Sequence, residues 1–226
     1  MTSQTKTCLC CSSHGRVPQS RAISLALLVA LAGCGGGPKA LSLPSFDPAG
    51  AAEEAMEMYD TDGDGYVAGS ELENAPGLKA ALKTLDADKD GKVSAEEVAE
   101  RVRIWDRSQI GMMMFDSRFL LDGKPLANAE ITFEPDEFLE GIVEAAVGVT
   151  DLGGNTRTKV PKEKRPTPDT PPGMQAGVYK VRVSKIVGGK ETIPAKYNTE
   201  TILGQEVSMD DWAISNRRVI FQLKSR

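Results

Sequence analysis

DTDGDGYVAGSE (residues 60–71) and DADKDGKVSAEE (residues 86–97) set the same pattern down twice: Asp at positions 1, 3 and 5, Gly at 6, Val at 8 and Glu at 12. Alternating carboxylates closed by a glutamate suit one task well, the wrapping of a single hard cation by oxygens from one short loop. A calcium ion takes about six to eight oxygen ligands at roughly 2.3 to 2.6 Å, and a twelve-residue loop can supply most of them. In loop 1 the candidate ligands are the side chains of Asp60, Asp62 and Asp64, the backbone carbonyl of Tyr66 and both carboxylate oxygens of Glu71. Loop 2 repeats them with Asp86, Asp88, Asp90, the carbonyl of Lys92, and Glu97. Gly65 and Gly91 fall where the chain must turn sharply, a conformation that a Cβ resists. Val67 and Val93 at position 8 are expected to pair in a short strand. Position 9 separates the copies, because Ser94 can hold or supply a ligand and Ala68 cannot.

The two loops resemble the EF-hand family at every constrained position, over about a quarter of the chain. That resemblance implies two Ca²⁺ sites. The spacing departs from the usual pair, since only residues 72–85 lie between the loops and Pro76-Gly77 interrupts them. The exit helix of the first hand must therefore be very short. This favours a compact, permanently loaded site over a hand whose helices swing open. Ahead of loop 1, Asp47 and Pro48 read as N-cap and first-turn residues of a helix. Met56, Tyr59, Leu72, Leu78, Leu82, Leu85, Val98, Val102 and Trp105 are the expected core of this segment. Met56, Met58 and the Met112 to Met114 run could line a sensor's groove, but methionine on a helix is more often packing.

The chain opens with a polar segment holding Lys6, Arg16 and Arg21, followed by the apolar run AISLALLVALA (residues 22–32). A positive flank and a short apolar core form a secretory signal, too short for a permanent span. Leu31, Ala32, Gly33 and Cys34 then resemble the lipobox of bacterial lipoproteins. That resemblance implies cleavage before Cys34 and its acylation, which would anchor the protein in a membrane, and Gly35 after it favours the outer membrane over the inner. Residues 34–46 read as a flexible tether. Cys8, Cys10 and Cys11 lie in the removed segment, so Cys34 is the one cysteine of the mature chain and disulfides are not expected.

Charge divides the rest into two blocks. Residues 1–33 carry three basic and no acidic side chains, so their removal leaves a net charge of −8. Residues 50–104 hold 14 acidic and 6 basic side chains, while residues 105–226 balance at 17 of each. The excess negative charge thus sits around the two loops, where bound cations would relieve it. No basic stripe remains, so nucleic acid is not an expected partner.

After Trp105 the helical texture gives way to short alternating runs. Met113 to Leu121, Ala129 to Phe133, Val143 to Thr150, Tyr179 to Ser184 and Val219 to Leu223 read as half-buried strands, with turns at Asp122-Gly123 and LGGN (residues 152–155). VPKEKRPTPDTPPG (residues 160–173) holds five prolines and reads as an extended surface loop. DGKPLANAEITFEP (residues 122–135), TDLGGN (150–155), PPGMQAGVYKVRVS (171–184) and IPAKYNTET (193–201) resemble transthyretin-like, carboxypeptidase regulatory-like sandwiches. That family often has Gly in its first strand where this chain has Ser117. The resemblance implies a non-enzymatic accessory or surface module. The single histidine, His14, falls in the removed segment, which leaves the mature chain without imidazole or zinc-ligand chemistry. Asp210-Asp211 reads as a solvated turn, and Tyr197-Asn198 as a pin for a connection.

These readings combine into an α+β chain of two domains. A signal peptide (1–33) and a tether (34–46) precede a small helical EF-hand pair (47–106), which an antiparallel, transthyretin-like β-sandwich (112–226) follows. The expected function is calcium-stabilised structure or adhesion at the cell envelope, without catalysis. The alternatives are a calcium-responsive regulatory subunit of an envelope enzyme, or a polysaccharide-binding surface in which Trp212 and Tyr197 stack on sugars. Calcium is expected to fold residues 50–104 while the sandwich folds without it.

Overall fold

The computed structural model describes residues 43–217 and 219–226. The signal segment, Cys34 and most of the expected tether lie outside these residues. The described chain falls within one compact unit.

Helix α1 (Pro48–Tyr59) starts where the sequence places it: Asp47 accepts the Gly50 N–H at 3.1 Å and Pro48 occupies the first turn, where its missing N–H costs nothing. Packing begins just before it, with the Phe46 ring 6.2 Å from that of Trp105. Loop 1 runs through β1 (Tyr66–Val67) into α2 (Ser70–Asn74), which has only five residues, as the interrupted linker requires. Pro76 ends it and opens α3 (Pro76–Leu85). Loop 2 follows through β2 (Val93–Ser94) into α4 (Ala95–Arg107). β1 and β2 pair antiparallel with Val67 opposite Val93, as expected. All nine expected core residues of this segment are buried except Met56 and Leu82, which pack on its margin with Met58.

The remaining chain is antiparallel-rich. β3 (Phe115–Leu121) and β4 (Lys124–Pro125) are followed by β5 (Glu130–Pro135), β6 (Ala146–Val149), β7 (Asn155–Thr158) and β8 (Gly177–Ser184). A small hairpin, β9 (Ile186–Val187) with β10 (Lys190–Glu191), leads to β11 (Gly204–Val207), a short helix α5 (Trp212–Ser215) and β12 (Val219–Leu223). One sheet has the order β11-β8-β5-β6, and in the other β3 pairs with β12, β4 and β7. The sheets face each other through Phe133, whose ring lies 5.1 Å from Phe115 and 6.1 Å from Phe221. Alternation behaves as read: Tyr179, Val181 and Val183 are buried while Lys180, Arg182 and Ser184 stay partly exposed.

Three details differ from the sequence expectation. β12 runs parallel to β3, not antiparallel, because the long return through β11 and α5 lets the chain re-enter the sheet in the same direction. β7, with its sequence Asn-Thr-Arg-Thr, is a strand that apolar alternation could not reveal, since its inward positions are the threonines Thr156 and Thr158. The strand expected from Val143 shortens to Ala146–Val149, and a 3-10 turn (Glu137–Leu139) tucks Phe138 and Leu139 into the core ahead of it. The proline-rich loop is tied at its base, where the Val160 N–H donates to the Gly173 carbonyl at 2.8 Å.

The helices lie against the first sheet, with α3 along β11 and β8. One hydrophobic cluster continues from Ala51 through Leu78 and Trp105 to Val178 and Leu223.

Candidate metal centre

Each loop is built around its last glutamate. In loop 1, Glu71 Oε1 accepts the Thr61 N–H at 2.7 Å and the Thr61 hydroxyl at 2.9 Å, and Oε2 accepts the Ala68 N–H at 3.0 Å. These bonds hold the Glu71 carboxyl below the usual carboxylate range, the Ala68 N–H contributing most and the Thr61 hydroxyl next. In loop 2, Glu97 Oε1 accepts the Ala87 N–H and Oε2 the Ser94 N–H, both at 2.9 Å. The Ser94 hydroxyl also donates to Oε2 at 2.9 Å and accepts the Glu97 N–H, so the position-9 serine acts as the capping box of α4. Ala68 cannot do this and α2 has no side-chain cap; Thr61, at position 2, supplies only the hydroxyl that donates to the loop glutamate. The threonine is a site residue that the position-by-position pattern passed over.

The first aspartates close the loops. Asp60 Oδ2 accepts the Gly65 N–H and Asp86 Oδ2 the Gly91 N–H, each at 2.9 Å. Gly65 and Gly91 turn there with φ of 89° and 82°, in the left-handed region expected of them. The result brings ligand oxygens of Asp60, Asp62 and Glu71 within 4.8 Å of one another, and those of Asp86, Asp88 and Glu97 likewise. Two oxygens that each lie about 2.4 Å from a shared cation are at most about 4.8 Å apart, so each cluster is compatible with a Ca²⁺ of its own. The donors are all oxygen, which suits a hard cation.

Asp64 and Asp90 stand outside these three-carboxylate clusters. Their Oδ1 atoms accept the N–H groups of Tyr66 and Lys92 at 2.9 Å. Tyr66 and Lys92, expected to give carbonyls, also meet through their side chains. The Lys92 Nζ lies 4.6 Å over the Tyr66 ring and 3.8 Å from Asp64 Oδ2, tying one loop to the other.

The helices around the loops are fixed by a second set of residues. Tyr59, directly before Asp60, donates its hydroxyl at 2.6 Å to Asp136, a fully buried carboxylate just after β5. Burial raises the Asp136 carboxyl above its ordinary range, and the Tyr59 bond works against that rise. Arg101 of α4, 3% exposed, donates Nε to Glu206 of β11 and its two terminal nitrogens to Asp210 at 2.6 and 2.8 Å. Glu206 also accepts from Trp105 Nε1 at 3.1 Å and from the Thr84 hydroxyl. Burial pushes the Glu206 carboxyl up while Arg101 pulls it back, and Asp210 is lowered by its bond to Arg101. Asp210 lies in an exposed turn, as read, although its carboxylate is engaged by Arg101, whereas Asp211 caps α5 by accepting the Ala213 N–H at 2.7 Å. Tyr197 does pin a connection, its hydroxyl accepting the Lys224 N–H at 3.1 Å.

An EF-hand family model matches residues 78–100, which span α3, loop 2 and the start of α4. The match supports calcium binding. No curated protein matches the chain.

Proposed function

We propose that this is a calcium-binding protein of the cell envelope, exported and anchored through an acylated Cys34, with a structural or adhesive role and no catalytic chemistry. The observation that carries the calcium reading is the convergence of three carboxylates in each loop on a space sized for one hard cation. Asp60, Asp62 and Glu71 would hold one ion and Asp86, Asp88 and Glu97 a second, each gathering negative charge that a cation neutralises. Asp64, Asp90 and the Tyr66 and Lys92 carbonyls complete the expected ligand sets.

The five-residue α2 and the attachment of α3 along β11 support a static role over the opening of a sensor. Sites that serve structure outside the cell can be as weak as about 10⁻⁴ to 10⁻³ M and still fill. Calcium titration calorimetry on the full chain should resolve two binding events without a rise in hydrophobic-dye fluorescence. Absence of calcium heat refutes the reading, and a calcium-dependent dye signal favours a regulatory subunit. For the anchor, fatty-acid labelling should tag the wild type and miss Cys34→Ser. A wild type that takes no label and is soluble removes the lipoprotein assignment.

A further inference from the structure

We infer that calcium loading and the stability of the β-sandwich are one equilibrium, joined where Glu206 and Asp136 receive the helices that flank the loops. This rests on the calcium reading above and says how those sites are regulated.

Loop 2 is bracketed by α3 and α4, and both helices end on the same carboxylate. Thr84, two residues before Asp86, donates to Glu206, as do Arg101 and Trp105 from α4. Loop 1 is entered from Tyr59, whose hydroxyl donates to Asp136 of the sandwich. α3, the longer of the two helices between the loops, is held at its other end as well. A Cβ on Gly204 of β11 would stand 1.7 Å from the Pro76 carbonyl oxygen, so helix and strand backbones touch there with no room for a side chain. Arg101 and Glu206 are 3% and 4% exposed, and Asp136 is fully buried. Groups this deep tolerate little displacement, because a buried charge or acceptor that loses its partner has no water to replace it.

Without a cation, the clustered carboxylates repel one another and push apart the segments that carry Tyr59, Thr84 and Arg101. Relaxing that repulsion would move partners away from Asp136 and Glu206, which the junction resists. The junction therefore favours the closed, cation-ready loops. By reciprocity the loaded loops favour the intact junction and the sheet behind it. The independent unfolding of the two blocks expected from charge alone gives way to a single calcium-dependent transition.

The test uses the full chain, with Tyr59→Phe and Glu206→Gln, neither of which alters a candidate ligand. Calcium titration calorimetry should show affinity weakened by roughly five- to tenfold in each variant, within the range usual for coupled sites. Hydrogen exchange on the wild type should show calcium slowing amides of β5 and β8, such as Ile131 and Val181, along with those of α1 and α4. Calcium binding with protection confined to residues 47–107, and wild-type affinity in both variants, overturns the coupling and leaves the calcium reading standing. No calcium heat in the wild type overturns both together. Tyr59→Phe removes a single oxygen, so it keeps the test open if Glu206→Gln does not fold.

Discussion

The two hands are fastened to the sandwich by opposite chemistries. Hand 1 hangs on a neutral phenol donating to a lone buried carboxylate, Tyr59 to Asp136, whose second oxygen has no hydrogen-bond partner. Hand 2 is bolted by a buried guanidinium shared between two carboxylates and seconded by Trp105 and Thr84. The difference follows from what each hand has to offer. Hand 1 leaves through a five-residue helix too short to carry a docking face, so its attachment falls on the residue that enters the loop. Hand 2 leaves through thirteen residues, of which Val98, Arg101, Val102 and Trp105 form one buried stripe. If this comparison is right, hand 2 should be the costlier one to detach.

The largest effect is therefore expected from Arg101→Met. It strands Glu206 in the core with only Trp105 and Thr84, and the loss of one member of a buried ion pair costs about 3 to 5 kcal/mol. Urea denaturation should show the unfolding free energy falling by that amount, with calcium only partly restoring it. A change below about 1 kcal/mol would mean that the pair contributes little and that the attachment is mainly apolar.

Next come the loop glutamates. Glu71→Gln and Glu97→Gln should each delete one calorimetric binding event. Each should also remove that site's share of the calcium-induced rise in melting temperature, roughly 5 to 10 °C at free calcium a hundred times Kd. Both variants should also destabilise the calcium-free protein. Both oxygens of Glu71 and both of Glu97 accept N–H groups, and a glutamine must turn its own NH₂ toward one set of them. Wild-type stability of either calcium-free variant would show that these bonds do not hold the empty loop.

Tyr59→Phe is expected to cost about 1 to 3 kcal/mol at neutral pH, the penalty for leaving a buried acceptor unpaired. Its pH dependence has a definite sign. Asp136 has its carboxyl raised by burial, so it favours folding most below its unfolded pKa, and that contribution is lost as pH rises through the folded value. Tyr59 opposes the rise by donating to the ionised form. The difference between wild type and variant should then be widest at neutral pH and narrow as acid protonates Asp136. A gap that stays constant from neutral pH to pH 4 would place the effect of the hydroxyl elsewhere.

The loops were legible because each ligand position is fixed by local chain geometry, and local geometry is what sequence spacing encodes. Gly65, Gly91, the Val67 and Val93 pair and the short α2 all follow from residues within one loop of each other. The attachment was not legible. Arg101 contacts a carboxylate 105 residues away and Tyr59 one 77 residues away, and no spacing rule reaches so far. One signal was present: a guanidinium in the apolar stripe of α4, at the interval of Val98 and Trp105, required a buried partner. The sandwich divides in the same way. Alternation marks β8 and β12, whose inward faces are apolar, and misses β7, whose inward threonines carry no such mark. The direction of β12 was likewise invisible, since alternation is the same in a parallel and an antiparallel ladder.

The smallest effect should come from Lys92, whose side chain reaches from loop 2 to Tyr66 and Asp64 of loop 1. Its Nζ stands 3.8 Å from Asp64 Oδ2, and the two side chains are 41% and 46% exposed, so the pair adds little to stability. On calcium affinity, however, two consequences of removing it have the same sign. Lys92→Met takes a positive charge away from a cation site, and it leaves Asp64 without the counter-charge that eases carboxylate repulsion in the calcium-free loop. Both favour binding at loop 1, by about twofold at low ionic strength. Loop 2 should change less, because the ammonium points toward its neighbour. Since the screening length falls from about 10 Å at 0.1 M salt to about 3 Å at 1 M, the gain should vanish in high salt. Titration at two salt concentrations decides it, and a gain that survives molar salt would have to come from a rearranged loop and not from charge.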